Sequence, residues 1–222
     1  MNIAGFQKSS FVDFPGIISC VVFTPGCNMR CGYCHNKHIL SADAPKTEVL
    51  DVMDYLNKRK SMLKGVVVSG GEPTLQSGLE AFVASVKALG YKVKLDTNGT
   101  NPDVVKLLCK KGYIDYVAMD IKANIEKYSL VAGRKIDTEK VLETVEFLKQ
   151  SGVAHEFRTT FCPGLTSSDI LDISQNIVGE SDYYLQQYRQ VEGEGAPHSR
   201  EYVKECARLV TENGGKCVIR GL

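Results

Sequence analysis

The stretch GVVVSGGEP, residues 65–73, holds three consecutive valines and then ends in glycines, a glutamate and a proline. An unbroken run of β-branched residues is typical of a strand that is buried on both faces, and glycine and proline predict its end. The same order, an apolar run followed by polar residues, recurs along the chain with helical patterns in between. The stretch therefore predicts a parallel sheet that is covered by helices.

About six strand–helix units follow from this pattern. Short connections and right-handed crossovers make a parallel sheet the natural result. We expect an α/β protein with a partial, open (β/α)6 barrel of parallel strands, formed by a single domain over residues 1–222. The predicted strands are 17–23, 65–70, 91–99, 114–123, 154–164, 182–190 and 216–221, and the predicted helices are 48–59, 79–90, 102–112, 138–152, 167–178 and 199–215.

Composition narrows the class of protein. Lys and Arg number 27 against 26 Asp and Glu, so the net charge is close to zero. Such a charge does not indicate a large basic surface that would bind nucleic acid or an anionic membrane. The first residues lack a signal-peptide pattern, and no run of eighteen apolar residues occurs. Eight cysteines in such a chain indicate reduced thiols or metal ligands. We expect a cytoplasmic protein that binds neither nucleic acid nor membrane.

Three of the cysteines, Cys27, Cys31 and Cys34, stand in CNMRCGYCHN, residues 27–36. A structural zinc takes four protein ligands, and His35 or His38 could supply the fourth. A four-iron cluster with three thiolate ligands would instead keep one iron open, which is typical of a reactive metal site. The residues alone leave both interpretations open.

The C-x-x-x-C-x-x-C loop, with the aromatic Tyr33 before its last cysteine, resembles the radical S-adenosylmethionine (SAM) superfamily. This resemblance implies that Cys27, Cys31 and Cys34 bind a [4Fe-4S] cluster whose open iron is chelated by SAM. It also implies that Tyr33 belongs to the cofactor site.

SGGEP, residues 69–73, follows the second predicted strand. Glycines let a backbone approach a ligand closely, and a glutamate there offers an acceptor, although a plain turn from strand to helix is the alternative. The segment is similar to the GGE element of the superfamily. That similarity implies that Gly70, Gly71 and Glu72 hold the methionyl ammonium group of SAM.

Two further strands end in DTNG (96–99) and MDIK (119–122). Strand alternation puts Asp120 and Lys122 on one face, where an acid and a base suit a zwitterionic ligand. The elements resemble those of pyruvate formate-lyase activating enzymes, which implies that Asp96, Asp120 and Lys122 contact SAM, with a monovalent cation as a further candidate ligand. Arg158 is expected either to pair with Asp120 or Glu72, or to control charge around cluster and SAM.

Asp13, in SFVDFPG, resembles a segment of the activating enzymes that lies beside the substrate glycine, and a turn residue is the alternative. Nearly the whole chain is similar to glycyl-radical-enzyme activating enzymes, above all those of anaerobic ribonucleoside-triphosphate reductase. The resemblance implies an oxidoreductase that cleaves SAM reductively with an electron from flavodoxin or ferredoxin and abstracts hydrogen from a glycine of its partner. No side chain need act as a general base.

Two departures from that family pattern concern the sixth strand and the cysteines. Formate-lyase activators have a histidine where this chain reads QQYR, residues 186–189, and no cysteine between Cys34 and Gly70 could hold a second cluster. The alternatives are a small-molecule radical SAM enzyme such as a 7-carboxy-7-deazaguanine synthase, and a non-enzymatic zinc or electron-transfer module.

Overall fold

A computed structural model describes residues 1–41 and 44–222. The chain divides into two compact units. The first comprises Met1–Asn28, Asn36–Thr97 and Asn101–Val117, and the second comprises Met29–His35, Asn98–Thr100 and Ala118–Leu222. Both units combine strands with helices, as the alternating sequence pattern predicts.

The first unit is built on a sheet with the strand order β1-β2-β3-β4. Strand β1 runs antiparallel to β2, whereas β2, β3 and β4 are parallel. Three valines of β3, Val66, Val67 and Val68, are fully buried, which agrees with a strand covered on both faces. The elements are β1 (Gly5–Ser10), β2 (Ser19–Thr24), α1 (Val49–Arg59), β3 (Gly65–Gly70), α2 (Leu79–Ala88), β4 (Lys92–Thr97) and α3 (Pro102–Lys110), with 3-10 turns at Lys37–Ile39 and Pro73–Leu75.

The second unit has the strand order β5-β6-β7-β8, and its first strand begins in the last residues of the first unit. Strands β6, β7 and β8 are parallel to one another. The elements are β5 (Tyr116–Asp120), α4 (Tyr128–Val131), α5 (Thr138–Ser151), β6 (Ala154–Phe161), α6 (Ser167–Asp172), a π-helical segment (Ile173–Val178), β7 (Tyr183–Gln187), α7 (Arg200–Glu212) and β8 (Cys217–Arg220).

Local signals fix where the helices of the second unit begin and end. Asp137 accepts a hydrogen bond from the backbone of Glu139 at the start of α5, and Gly152 ends that helix in the left-handed region at φ 70°. Thr166 and Asp169 form a capping box at the start of α6. These caps explain why the predicted helices agree closely with the observed ones.

Strand β1 was not expected. The sequence predicts 17–23 as the first strand of a parallel sheet, but that segment is β2, and β1 precedes it in the antiparallel sense. The sequence of β1, GFQKSS, is mostly polar, and its middle residues are exposed. An edge strand with little buried surface carries no hydrophobic alternation, so the pattern gave no sign of it.

A buried ion pair ties β6 to the last strand. Glu156 is fully buried, and its two carboxylate oxygens accept hydrogen bonds of 2.6 and 2.8 Å from Arg220 of β8. The Arg220 guanidinium also lies 3.4 Å from the centroid of the Tyr184 ring. We expect Arg220→Ala to lower the free energy of unfolding by about 3 kcal/mol, because it leaves a buried carboxylate without its cation.

Urea unfolding of the cluster-free protein, followed by circular dichroism, measures this effect. Arg208→Ala is the matched control, since Arg208 pairs with Glu205 and Glu212 while its side chain is 54% exposed. An exposed pair contributes little to stability, so the control should unfold almost as the wild type does. Equal effects of the two substitutions would contradict the role given to the buried pair.

Within residues 1–41 and 44–222, no helix combines the length and the apolar character that crossing a bilayer requires.

Candidate functional site

The motif cysteines fall at the junction of the two units along the chain. Cys27 belongs to the first unit, and Cys31 and Cys34 belong to the second. The backbone N–H of Cys34 donates to the carbonyl of Cys31 over 3.1 Å, which turns the chain between these two thiols. Across the described ranges, no three cysteine, histidine, aspartate or glutamate side chains form a group that could hold a metal ion. The thiols are free of disulfide bonds and are the donor type that holds iron–sulfur clusters.

The second-unit part of this loop is anchored by its backbone. The N–H of Arg30 donates to the carbonyl of Ala132 over 2.8 Å. A Cβ built on Gly133 would lie 2.2 Å from the carbonyl oxygen of Arg30, and Gly133 adopts a positive φ of 67°. Only glycine permits this approach, so the residues after α4 hold the cysteine loop at Arg30.

The glycines at the end of β3 are required because the end of β2 and the segment that follows it pass very close to them. Gly70 has a φ of 120°, and a Cβ there would lie 2.3 Å from the backbone nitrogen of Thr24. A Cβ on Gly71 would lie 1.9 Å from the carbonyl oxygen of Gly26. The N–H groups of Gly71 and Glu72 donate to the carbonyls of Thr24 and Gly26, over 2.9 and 2.8 Å. Close contact of two backbones is thus a sufficient reason for both glycines.

Glu72 is held rigidly in the first unit. It is only 1% exposed, and its Oε1 accepts hydrogen bonds from the Thr74 N–H at 3.1 Å, the Thr74 hydroxyl at 2.6 Å and the Thr97 hydroxyl at 2.8 Å. Asn101 in turn donates to the Thr74 hydroxyl over 3.0 Å. The ends of β3 and β4 are thereby brought together at a buried carboxylate.

Asp96 pairs with a lysine that the sequence analysis did not single out. Lys94, two residues earlier on β4, is 2% exposed and donates to Asp96 Oδ1. A lysine is rarely buried unless it is paired. The signal was available, because strand alternation puts residues 94 and 96 on one face, as it does for residues 120 and 122.

Asp120 lies between two cations in the second unit. Lys122 donates to its Oδ2 over 3.0 Å, and Arg158 Nε donates to its Oδ1 over 2.8 Å. The predicted shared face of Asp120 and Lys122 is therefore confirmed, and Arg158 makes the pairing with Asp120 that the sequence offered as one of its two roles. Backbone contacts fix this geometry, since Ile121 N–H donates to the Arg158 carbonyl over 2.8 Å.

The cations change the acidity of Asp120. Burial alone would raise the pKa of this carboxyl, but the charges and hydrogen bonds of Arg158 and Lys122 lower it to about 2. Burial likewise opposes protonation of Lys122, yet the Asp120 charge holds the pKa of the ammonium well above its usual value. Asp120 and Lys122 are therefore both ionised at neutral pH.

This low pKa predicts a pH dependence of stability. Because the folded-state pKa of Asp120 is depressed from 3.8 to about 2, its contribution is present above pH 4 and is lost as the pH falls towards 2. Asp120→Asn should therefore be less stable than wild type at neutral pH, and the difference should shrink below pH 4. Urea titrations of both cluster-free proteins from pH 7 to 2 measure it, and a difference that does not depend on pH would contradict the assignment.

A polar atom without a partner lies near this charged group. The Tyr33 hydroxyl is buried and has no hydrogen-bond partner within the part of the chain that the structure describes. The Tyr33 ring centroid lies 6.0 Å from Lys122 Nζ, within cation–π range. An unsatisfied buried hydroxyl beside fixed charges fits a polar, zwitterionic ligand such as SAM, and thiols are the donor type that an iron–sulfur cluster takes.

Asp13 lies in a turn between β1 and β2. Its carboxylate accepts a hydrogen bond from the Ser10 hydroxyl, whose oxygen accepts in turn from the backbone N–H groups of Val12 and Asp13. The arrangement is that of the turn residue that the sequence offered as the alternative. Val12, next to it, is 87% exposed.

Comparison with known proteins gives the class. The model of the "Radical SAM superfamily" matches residues 21–177, which include the three motif cysteines. In addition, the structure of Streptococcus suis SuiB bound to S-adenosylmethionine aligns over 90% of this chain with a TM-score of 0.70 at 15% identity, and this chain spans 52% of SuiB. That likeness confirms the predicted α/β fold class with mostly parallel strands.

Two curated relatives narrow the class. The Methanocaldococcus jannaschii protein named "Putative glycyl-radical enzyme activating enzyme MJ1227" is 37% identical over 84% of this chain and 79% of its own length. Pyruvate formate-lyase 1-activating enzyme of Escherichia coli K12 is 30% identical over 76% of this chain and 70% of its own. The chain therefore belongs to the radical SAM superfamily and, within it, to the glycyl-radical-enzyme activating enzymes. The predicted resemblance to the radical SAM superfamily and to its glycyl-radical-enzyme activating enzymes is confirmed.

Proposed function

We propose that this protein binds a [4Fe-4S] cluster through Cys27, Cys31 and Cys34, cleaves SAM, and generates a radical on a glycine of a partner enzyme. The observation that carries the proposal is the C-x-x-x-C-x-x-C motif inside the matched family region, residues 21–177. We further propose that residues 1–222 work as one radical SAM domain. The oxygen-sensitive cluster and eight cysteines without disulfide bonds suit the cytoplasm.

When held by Cys27, Cys31 and Cys34, the cluster would supply the electron for the reductive cleavage of SAM that precedes hydrogen abstraction from the glycine. The residues of this protein must then bind SAM, position its reactive carbon next to the target glycine and exclude water from the site. In this proposal, the Glu72 carboxylate accepts from the methionyl ammonium group, with Gly70 and Gly71 shaping the turn beside it. Glu72 suits this task because Thr74 and Thr97 already fix its side chain.

We assign further polar groups of SAM to the charged group of the second unit. Lys122 can pair with the SAM carboxylate, and Asp120 can accept from a ribose hydroxyl or coordinate a monovalent cation. Asp120 remains an anion for this purpose because Arg158 and Lys122 lower its pKa to about 2. We assign Asp96 as a further SAM contact and Tyr33 as part of the same cofactor site.

Anaerobic reconstitution with iron and sulfide tests the activity. The expected product is a brown protein that dithionite bleaches and that converts added SAM to equal amounts of methionine and 5'-deoxyadenosine. A colourless protein with one tightly bound zinc and no SAM cleavage would overturn the proposal. This result would favour the zinc module that the sequence left open.

We propose anaerobic ribonucleotide reductase as the partner enzyme, with Asp13 beside the target glycine and flavodoxin or ferredoxin as the electron donor. The support is the near full-length similarity of the sequence motifs to activating proteins of that reductase. Electron paramagnetic resonance (EPR) of the reduced protein mixed with SAM and either this reductase or pyruvate formate-lyase distinguishes partners. A glycyl-radical doublet should form on the reductase, and a doublet on the lyase alone would contradict this choice.

A further inference from the structure

The segment between β7 and α7 brings a carboxylate onto the cysteine loop. Within the second unit, a Cβ built on Gly32 would lie 2.5 Å from Glu194 Oε1 and 2.6 Å from both Cδ and Oε2 of the same side chain. These separations are shorter than any real contact of a Cβ, so the carboxylate group fills the space that a side chain at residue 32 would need. Gly32 stands between Cys31 and Cys34, and Glu194 therefore lies directly against the loop that carries two motif thiols.

The backbone around Glu194 is held by its own contacts. The N–H of Glu194 donates to the carbonyl of Val191 over 3.1 Å, and the N–H of Val191 donates to the hydroxyl of buried Tyr188 over 2.8 Å. On the other side, a Cβ on Gly195 would lie 2.9 Å from Pro163 Cβ. The chain therefore makes a defined contact both before and after the carboxylate.

A third set of contacts fixes the end of the segment. The ring of His198 stacks on that of Phe161 with centroids 4.1 Å apart, and His198 Nε2 lies 3.2 Å from the carbonyl oxygen of Cys162. Gln187 Nε2 donates to the carbonyl of His198 over 3.1 Å. Contacts at Val191 and at His198 hold the two ends of this segment. The fold therefore determines the position of Glu194 next to Gly32.

We propose that Glu194 is a positioning residue that holds the cysteine loop at Gly32 and keeps a negative charge beside the iron–sulfur cluster. This inference rests on the proposed function, which assigns the cluster to that loop. Reduction adds an electron to the cluster, and a neighbouring anion makes that electron less favourable. The carboxylate should therefore lower the reduction potential of the cluster.

The chain offers a matched control in the same segment. Glu192 carries the same charge two residues earlier, but its side chain is exposed to solvent, where its field is screened. Glu194→Gln removes the charge and keeps the shape, while Glu192→Gln makes the same chemical change away from Gly32. Gly32→Ala keeps every charge, but its new methyl group must push the carboxylate away from the loop.

A redox titration of the reconstituted full-length protein without SAM, followed by EPR, measures the potential. We expect Glu194→Gln to shift the midpoint to a more positive value, Gly32→Ala to shift it in the same direction, and Glu192→Gln to leave it unchanged. Loss of the cluster in Glu194→Gln, with a thermal melt equal to that of Glu192→Gln, would also support the holding role.

Full cluster content and an unchanged midpoint in Glu194→Gln would overturn the inference, as would an equal shift in Glu192→Gln. If Glu194→Gln does not fold, the cluster content and the midpoint potential of Gly32→Ala decide the question in its place. A wild-type protein that holds no cluster would instead refute the proposed function. The two failures are therefore distinguishable.

Discussion

Replacing Cys31 with alanine is expected to abolish SAM cleavage. Three thiolates hold the proposed cluster, and two cannot keep it in place, so the variant should lack the brown colour and yield no measurable 5'-deoxyadenosine. The measurement is iron and sulfide content after anaerobic reconstitution, together with product analysis by chromatography. The effect should be complete, in contrast to the partial effect of a residue that only contacts SAM.

Cys217→Ala is the control for that experiment. Cys217 is half-buried on β8 and lies outside the motif, so its replacement should leave cluster content and SAM cleavage near wild type. If Cys31→Ala retains a full cluster and its activity, the assignment of the motif is wrong. Equal losses in both variants would point to a general failure of folding instead, and circular dichroism of the two proteins separates these results.

The second large effect is expected at Glu72. Glu72→Gln keeps an acceptor oxygen for Thr74 and Thr97, so the fold should persist, but it removes the charge that would face the methionyl ammonium group. A hydrogen bond to a charged group contributes about 1.5–3 kcal/mol, so SAM should bind roughly 10- to 100-fold more weakly. Isothermal titration of the reconstituted proteins with SAM under anaerobic conditions measures the dissociation constants.

Glu80→Gln is the matched control for this charge change. Glu80 lies on α2 of the same unit, its side chain is 42% exposed, and it pairs with Lys111 on the surface. Its replacement should leave SAM affinity unchanged. Unaltered binding in Glu72→Gln would mean that the buried carboxylate serves only to hold the ends of β3 and β4 together.

Much of the fold follows from the sequence because apolar runs and caps are local signals. The predicted strand 65–70 coincides with β3, and the helix predicted at 102–112 is α3, Pro102–Lys110. The polar edge strand β1 could not be predicted, because it buries too few apolar side chains to show a hydrophobic alternation. The helix predicted at 167–178 is α6 followed by a π-helical segment, a change of hydrogen-bond register that side-chain periodicity does not reveal.

The parts of the site that could be predicted are those where charged residues stand two positions apart on one predicted strand. Strand alternation predicts that Asp120 and Lys122 share a face, and the same argument applied to Lys94 predicts its pairing with Asp96. By contrast, Glu194 lies more than 150 residues from Gly32 in the sequence, and no local pattern relates them. Contacts of this kind depend on how a loop packs, which the sequence does not express locally.

The most direct test of the account is EPR of the reduced, reconstituted protein with SAM that carries ¹⁵N in its amino group. If three thiolates bind three of the irons and SAM binds the fourth, adding SAM must change the EPR spectrum of the cluster. The ¹⁵N label must also show a hyperfine coupling to the cluster. An intact four-iron cluster whose spectrum is the same with and without SAM, and which shows no coupling, would contradict the account.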